Sequence, residues 1–107
     1  MSEFQRVCAA DQVEEGGLRT AFYGVKRVVL TRVNGAVRAF VNACPHAGAP
    51  LSGGSMRGSN IICQRHGWAF DATTGLCAEH SMYELRLYIV DEREDGLWIK
   101  PAVEEIW

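Results

Sequence analysis

No Cys-x-x-Cys pair occurs among the 107 residues, although the chain has four cysteines, at Cys8, Cys44, Cys63 and Cys77. That spacing removes thioredoxin-type dithiol chemistry and the common zinc ribbons. No apolar run approaches the ~18 residues that a membrane-spanning helix needs. No basic excess exists: 11 Lys and Arg stand against 13 Asp and Glu, a net charge of -2. A general nucleic-acid binder would carry a basic stripe, so that class is excluded. The opening Met-Ser-Glu-Phe-Gln-Arg lacks a basic segment followed by an apolar one. It predicts no secretory signal and a cytoplasmic protein. Thiols there stay reduced, so the cysteines read as metal ligands or inert core groups rather than a disulfide framework.

Helical periodicity is also missing beyond about two turns. What fills the chain is short extended segments cut by turns. Strands are predicted at Phe4–Cys8, Leu18–Tyr23, Lys26–Val33, Ala36–Val41, Asn60–Cys63, Trp68–Phe70, Glu84–Val90 and Leu97–Lys100, with one helical turn over Ala9–Val13. Asn34-Gly35 is the strongest hairpin signal, because both positions tolerate positive φ. Asp95-Gly96 is a second. Val37, Ala39 and Val41 alternate with Arg38 and Phe40. Leu85, Leu87 and Ile89 alternate with Arg86 and Tyr88. Residues 42–60 have no period and hold Gly48, Gly53, Gly54, Gly58, Pro45 and Pro50, the mark of a long shaped loop. Many short strands with turn signals predict an all-β fold, an antiparallel sandwich or small barrel, in a single domain over 1–107.

Cys44-Pro45-His46, sixteen residues, then Cys63-Gln64-Arg65-His66 gives C-x-H followed by C-x-x-H, each in a Gly-rich turn. Two thiolates and two imidazoles suit zinc, or an iron–sulfur cluster in which His replaces Cys on one iron. The surrounding residues resemble the Rieske-type [2Fe–2S] family. Cys44-Pro45-His46-Ala47-Gly48-Ala49-Pro50-Leu51 is similar to its first cluster loop. Cys63-Gln64-Arg65-His66-Gly67-Trp68-Ala69-Phe70-Asp71, with Thr74-Gly75, is similar to the second. The resemblance implies the Rieske fold with a cluster-binding subdomain built from the two loops, and one [2Fe–2S] cluster per chain. It implies Cys44 and Cys63 on the inner iron, and His46 and His66 on the outer iron.

High-potential members of that family carry an extra Cys in each loop, joined as a disulfide. The matching positions here are Ala49 and Arg65, so that bridge cannot form. Those members also donate hydroxyl hydrogen bonds from a Ser and a Tyr, where this chain has Trp68 and Phe70. A proline-bearing loop that covers the cluster in many relatives corresponds to Cys77–Met82, which has no proline. Cys8 and Cys77 read as packed thiols, and His80 as an exposed loop residue. Residues 42–70 contain no Asp or Glu, which predicts a neutral to weakly basic end suited to redox partners; the acidic runs at 14–15, 91–95 and 104–105 read as solvated surface.

Once the cluster takes two histidines, only His80 remains. A mononuclear iron site with two His and a carboxylate cannot be built, and no G-x-G-x-x-G follows a strand. The expectation is therefore an electron carrier, not an enzyme. The resemblance implies a monomeric ferredoxin that passes single electrons from an NAD(P)H-dependent flavin reductase to a terminal ring-hydroxylating oxygenase. The alternatives are the small subunit of an assimilatory nitrite reductase and, from another class, a zinc-bound interaction module.

Hydrogen bonds to cluster sulfurs stabilise the reduced state. Without the two hydroxyls, a redox titration is expected to give a midpoint near the low end of the Rieske range, about -150 mV. A value near +300 mV contradicts this. The same titration carried to alkaline pH is expected to show a falling midpoint, as His46 or His66 deprotonates in the oxidised state.

Overall fold

The computed structural model describes residues 3–46 and 48–103. Met1, Ser2, Ala47 of the first loop motif and residues 104–107, including the acidic pair Glu104-Glu105, lie outside them. Among the described residues, nine strands form two antiparallel sheets. β1 is Gln5–Cys8, β2 Arg19–Tyr23, β3 Lys26–Val33, β4 Ala36–Val41, β5 Ser55–Arg57, β6 Asn60–Ile62, β7 Ala69–Asp71, β8 Leu87–Arg93 and β9 Gly96–Pro101. The larger sheet runs β1-β9-β8-β4-β3-β2, and the smaller β5-β6-β7. The larger sheet curls until its ends meet. The Tyr23 hydroxyl donates to the Glu3 carbonyl at 2.6 Å, and the Gly24 N–H to Gln5 Oε1 at 2.9 Å. Single 3-10 turns occur at Ala10–Gln12 and Leu51–Gly53. No helix among the described residues is long and apolar enough to cross a membrane.

The β3–β4 hairpin fits its sequence: Asn34 and Gly35 have φ of 51° and 83°, as a type I′ turn requires. Both Glu15 carboxylate oxygens accept the N–H groups of that turn, at 2.6 and 2.9 Å. Arg32 ties the preceding segment to the same hairpin. Its guanidinium donates to the carbonyls of Val13, Gly35 and Ala10 at 2.9, 2.9 and 3.0 Å. Each such charge-assisted bond contributes ~1.5–3 kcal/mol. The 3.6 Å pairing of Arg32 with half-exposed Glu92 adds at most ~1 kcal/mol. Arg32 therefore acts mainly as a backbone clamp.

Both faces of the central strands are covered. Val28, Leu30, Val37 and Ala39 fill the barrel interior with Tyr88, Leu97 and Ile99. Val29, Val33 and Phe40 point the other way, onto Leu51, Ile61, Phe70 and Leu85 around the smaller sheet. Simple alternation set Phe40 with Arg38 and Tyr88 with Arg86, opposite the apolar rows. Phe40 is 0% and Tyr88 5% exposed, whereas Ile89 is 45% exposed. Phe40 is covered by the second layer packed on the barrel, whereas Tyr88 points into the barrel interior; period-2 reading of one strand sees neither.

Two element bounds also differ from expectation. β8 starts at Leu87: the Arg86 carbonyl still accepts the Val41 N–H of β4, but ahead of it the Leu85 N–H donates to the Gly75 carbonyl and Glu84 bridges to Leu76. β5 is a strand inside the supposed loop, paired with β6 across the Gly58-Ser59 turn. Its three residues are too few to show a period.

Tyr88 gives the fold a pH dependence. Burial, and next the neighbouring Tyr23, push its phenol up to about 12. An unfolded tyrosine titrates near ~10. Between those values the unfolded chain loses a proton that the folded one keeps, so rising pH favours unfolding. The contribution is full below pH ~10 and is lost from about 10 to about 12. Denaturant midpoints are expected to fall across that window, and to fall less steeply in Tyr88→Phe.

Candidate metal centre

The first loop leaves the end of β4, and the second joins β6 to β7. Asn42 fastens the base of the first: its Nδ2 donates to Ser52 Oγ at 3.0 Å, and its Oδ1 accepts the Ser52 N–H at 2.9 Å. The Ile62↔Ala69 pair fastens the base of the second. Leu51, Ile61 and Phe70, all fully buried, lie beneath them.

The loops close in the same way. The Cys44 carbonyl accepts the Gly48 N–H at 2.7 Å, and the Cys44 N–H donates to the Ala49 carbonyl at 2.8 Å. The Cys63 carbonyl accepts the Gly67 N–H at 2.8 Å, and the Cys63 N–H donates to the Trp68 carbonyl at 2.9 Å. Gly48 and Gly67 have φ of 71° and 72°, a conformation that costs other residues dearly. A third copy follows directly. The Asp71 carbonyl accepts the Gly75 N–H at 2.7 Å, and the Asp71 N–H donates to the Leu76 carbonyl at 2.9 Å. There the first residue is a carboxylate that accepts the Thr73 N–H and hydroxyl, at 2.8 and 2.6 Å. The Thr73 hydroxyl bond holds the Asp71 carboxyl below its ordinary value, against a partial opposing effect of burial. The third copy is a structural turn; the other two carry Cys and His.

This closure turns the thiols inward and leaves the imidazoles outside. Cys44 and Cys63 are 2% and 0% exposed. His46 and His66 are exposed, with ring centroids 4.7 Å apart. Among the described residues, no three His, Cys, Asp or Glu side chains converge as a single ion would need. A tetrahedral zinc asks four ligands to meet at one point. Two buried thiols and two paired imidazoles, one of each from either loop, can also serve a binuclear group that takes two protein ligands per metal atom.

The other marked residues also find places. Ala49 and Arg65 line one open cleft of about 450 Å³ between the loops, with no thiol at either position. Trp68 stacks on His46 at 3.9 Å and 21°. His80 is exposed, as expected, and also lies over Trp68 at 4.5 Å. Tyr83 meets His46 edge-on at 5.5 Å. The 77–83 segment thus packs against the site without a proline. Cys8 and Cys77 are buried in different cores. Burial pushes the Cys8 thiol up, partly offset by Arg19 and Arg6. Neither His80 nor Tyr83 carried a local motif; their closeness to Trp68 comes from the Phe70↔Cys77 and Leu76↔Glu84 bridges.

Residues 3–88 match the Rieske [2Fe-2S] domain. The chain belongs to that family. The Rieske domain implies a [2Fe–2S] cluster of the Rieske type. It is 38% identical over 86 residues to the large oxygenase component of a naphthalene 1,2-dioxygenase system from Pseudomonas aeruginosa, covering 77% of this chain and 19% of that one. It spans between 8% and 29% of the length of the curated relatives it matches. Several solved structures match nearly end to end. One is the ferredoxin of carbazole 1,9a-dioxygenase from Nocardioides aromaticivorans IC177, with TM-score 0.83, 29% identity, and 92% and 97% of the two chains covered. Another is described as a putative NADH-dependent nitrite reductase small subunit from Mycobacterium tuberculosis, with TM-score 0.80, 23% identity, and 96% and 97% covered. A complex of reduced oxygenase and oxidized ferredoxin in carbazole 1,9a-dioxygenase also matches, with TM-score 0.84, 28% identity, and 94% and 97% covered.

The Rieske loops depend on their two glycines. A Cβ at Gly48 or Gly67 meets nothing within 4 Å, so the cost of Gly→Ala is backbone strain alone, ~1–2 kcal/mol. Gly48→Ala and Gly67→Ala are each expected to lower the melting temperature of the protein and its iron content per chain.

Proposed function

We infer that this chain is the ferredoxin of a multicomponent oxygenase system. In this reading it acts as a monomeric, cytoplasmic, single-domain carrier over 1–107. It takes one electron at a time from an NAD(P)H-dependent flavin reductase and delivers it to a terminal ring-hydroxylating oxygenase. The near full-length likeness to the carbazole dioxygenase ferredoxin carries the reading. The longer relatives are matched over only part of their length.

Cys44 and Cys63 would hold the inner iron, and His46 and His66 the outer one. The bound group supplies a reversible one-electron couple. The protein does the rest. Buried Cys44 and Cys63 keep water from the inner side. His46 and His66 bring the outer side to the surface, where an electron has the shortest way to a partner. Trp68 and Tyr83 fix the His46 ring through a stacked and an edge contact. No acid lies between residues 42 and 70, so an approaching anionic partner face meets little repulsion from these loops.

The second reading is a nitrite reductase small subunit. The M. tuberculosis structure favours it through the fold alone.

Anaerobically purified protein is expected to hold iron and acid-labile sulfide in equal amounts, and to give a rhombic electron paramagnetic resonance signal on reduction. Cys44→Ser and His66→Ala are expected to lose that signal. Zinc without sulfide in the wild-type protein would refute the cluster assignment and the electron-transfer role with it. To separate the pathways, the reduced protein is mixed in stopped flow with a ring-hydroxylating oxygenase and, separately, with a sirohaem nitrite reductase. Faster oxidation by the oxygenase is the expected result; preference for the sirohaem enzyme moves the chain to the second reading.

A further inference from the structure

The two cysteine loops differ at the peptide that closes each of them. In the second, the closing unit is Trp68–Ala69. Its carbonyl accepts the Cys63 N–H at 2.9 Å. Its N–H, that of Ala69, donates to Glu79 Oε1 at 3.0 Å. A carboxylate, one peptide unit and the Cys63 amide thus form one hydrogen-bonded chain. In the first loop the closing unit is Ala49–Pro50, which has no N–H to offer. No carboxylate can address Cys44 in this way.

Glu79 is held where it is. The Ala78 N–H donates to the Ala69 carbonyl at 2.9 Å, which pairs the segment with the strand after the loop. The Cys77 thiol lies 3.7 Å from the same Oε1. His80, the next residue, packs on Trp68 at 4.5 Å. Although the loop sequence contains no acid, the fold brings one to its closing peptide.

We propose that Glu79 is a positioning and tuning residue that lowers the reduction potential through the Trp68–Ala69 peptide and favours delivery of the electron. A carboxylate accepting a peptide N–H polarises that peptide, and bonds in series reinforce one another. The Trp68 carbonyl becomes more negative and draws harder on the Cys63 N–H. Negative potential at Cys63 opposes an added electron. The same bond orients Trp68, and with it the stack on His46. This inference rests on Cys63 being a cluster ligand.

The test is reversible redox titration of the cluster-loaded wild-type protein, E79Q, E79A and E84Q. Glu79 is exposed, so its replacement leaves the core intact. E79Q keeps an acceptor for Ala69 and removes the charge. It is expected to shift the reduction equilibrium three- to tenfold toward the reduced form, or ~30–60 mV upward at about 59 mV per decade for one electron. E79A is expected to shift at least as far, and also to change the electron paramagnetic resonance line shape as Trp68 and His46 relax. E84Q removes an equal charge from an exposed residue five positions on, and is expected to shift less than half as much. An unmoved midpoint in E79Q, or equal shifts in E79Q and E84Q, overturns the inference and leaves the ligand assignment standing. A Cys63→Ser variant that retains full iron, sulfide and signal overturns the assignment and the inference together.

Discussion

Everything at the functional end depends on one backbone device: a residue whose carbonyl accepts the N–H four positions on, and whose own N–H reaches the carbonyl after that. The closure needs a left-handed residue at its fourth step, and Gly48 and Gly67 supply it. With both backbone groups of each cysteine spent inside its loop, the thiol turns inward and the loop tip projects. His46 occupies the third position of its loop and His66 the fourth, yet their rings come within 4.7 Å. Side-chain reach, rather than loop symmetry, brings the imidazoles together. The same device at Asp71 carries no ligand, so the turn is general and the chemistry comes from what is placed on it.

The barrel serves this end by having two buried faces. Its interior closes over Val28, Leu30 and Ile99, and its outer face supplies Val29 and Phe40 as a floor for the smaller sheet. Filling the inside with aliphatic residues leaves the large aromatics Phe40 and Phe70 to fill the space between the layers, directly under the cysteines. Loss of a buried aromatic there costs ~3–5 kcal/mol, so the loops stand on a firmly packed floor.

Much of this was legible in the residues. β3 and β4 fall where the β-branched run and Asn34-Gly35 put them, and the rings of His46 and His66, from the two separate loop motifs, lie 4.7 Å apart. Those signals are local: a turn dipeptide, an alternating run, two short motifs. What escaped is non-local. Phe40 is buried because a second layer covers the outer face, and Tyr88 because the barrel closes around it. The start of β8 moves because residues 84–85 pair with 75–76 instead. Residues 42–70 are free of acids in sequence, but Glu79 returns one in space across the Phe70↔Cys77 bridge. No single-strand pattern encodes that return.

The separation between local and non-local features also explains why the cofactor is easier to read than the partner. Ligand type and loop closure are set within a few residues of each cysteine, and any protein that holds this cluster must meet nearly the same demands. In the proposed role a partner would instead meet the rim: Arg65 at the cleft between the loops, Met82 at 79% exposure, and Tyr83 beside His46. These residues come from separate loops and bear no load in closing them. Met82 shares a groove of about 570 Å³ with Pro45, so its substitution alters that face while Tyr83 keeps its contact with His46. Proteins serving different enzymes can therefore share the two loop motifs and differ only along this rim, where specificity has to be built.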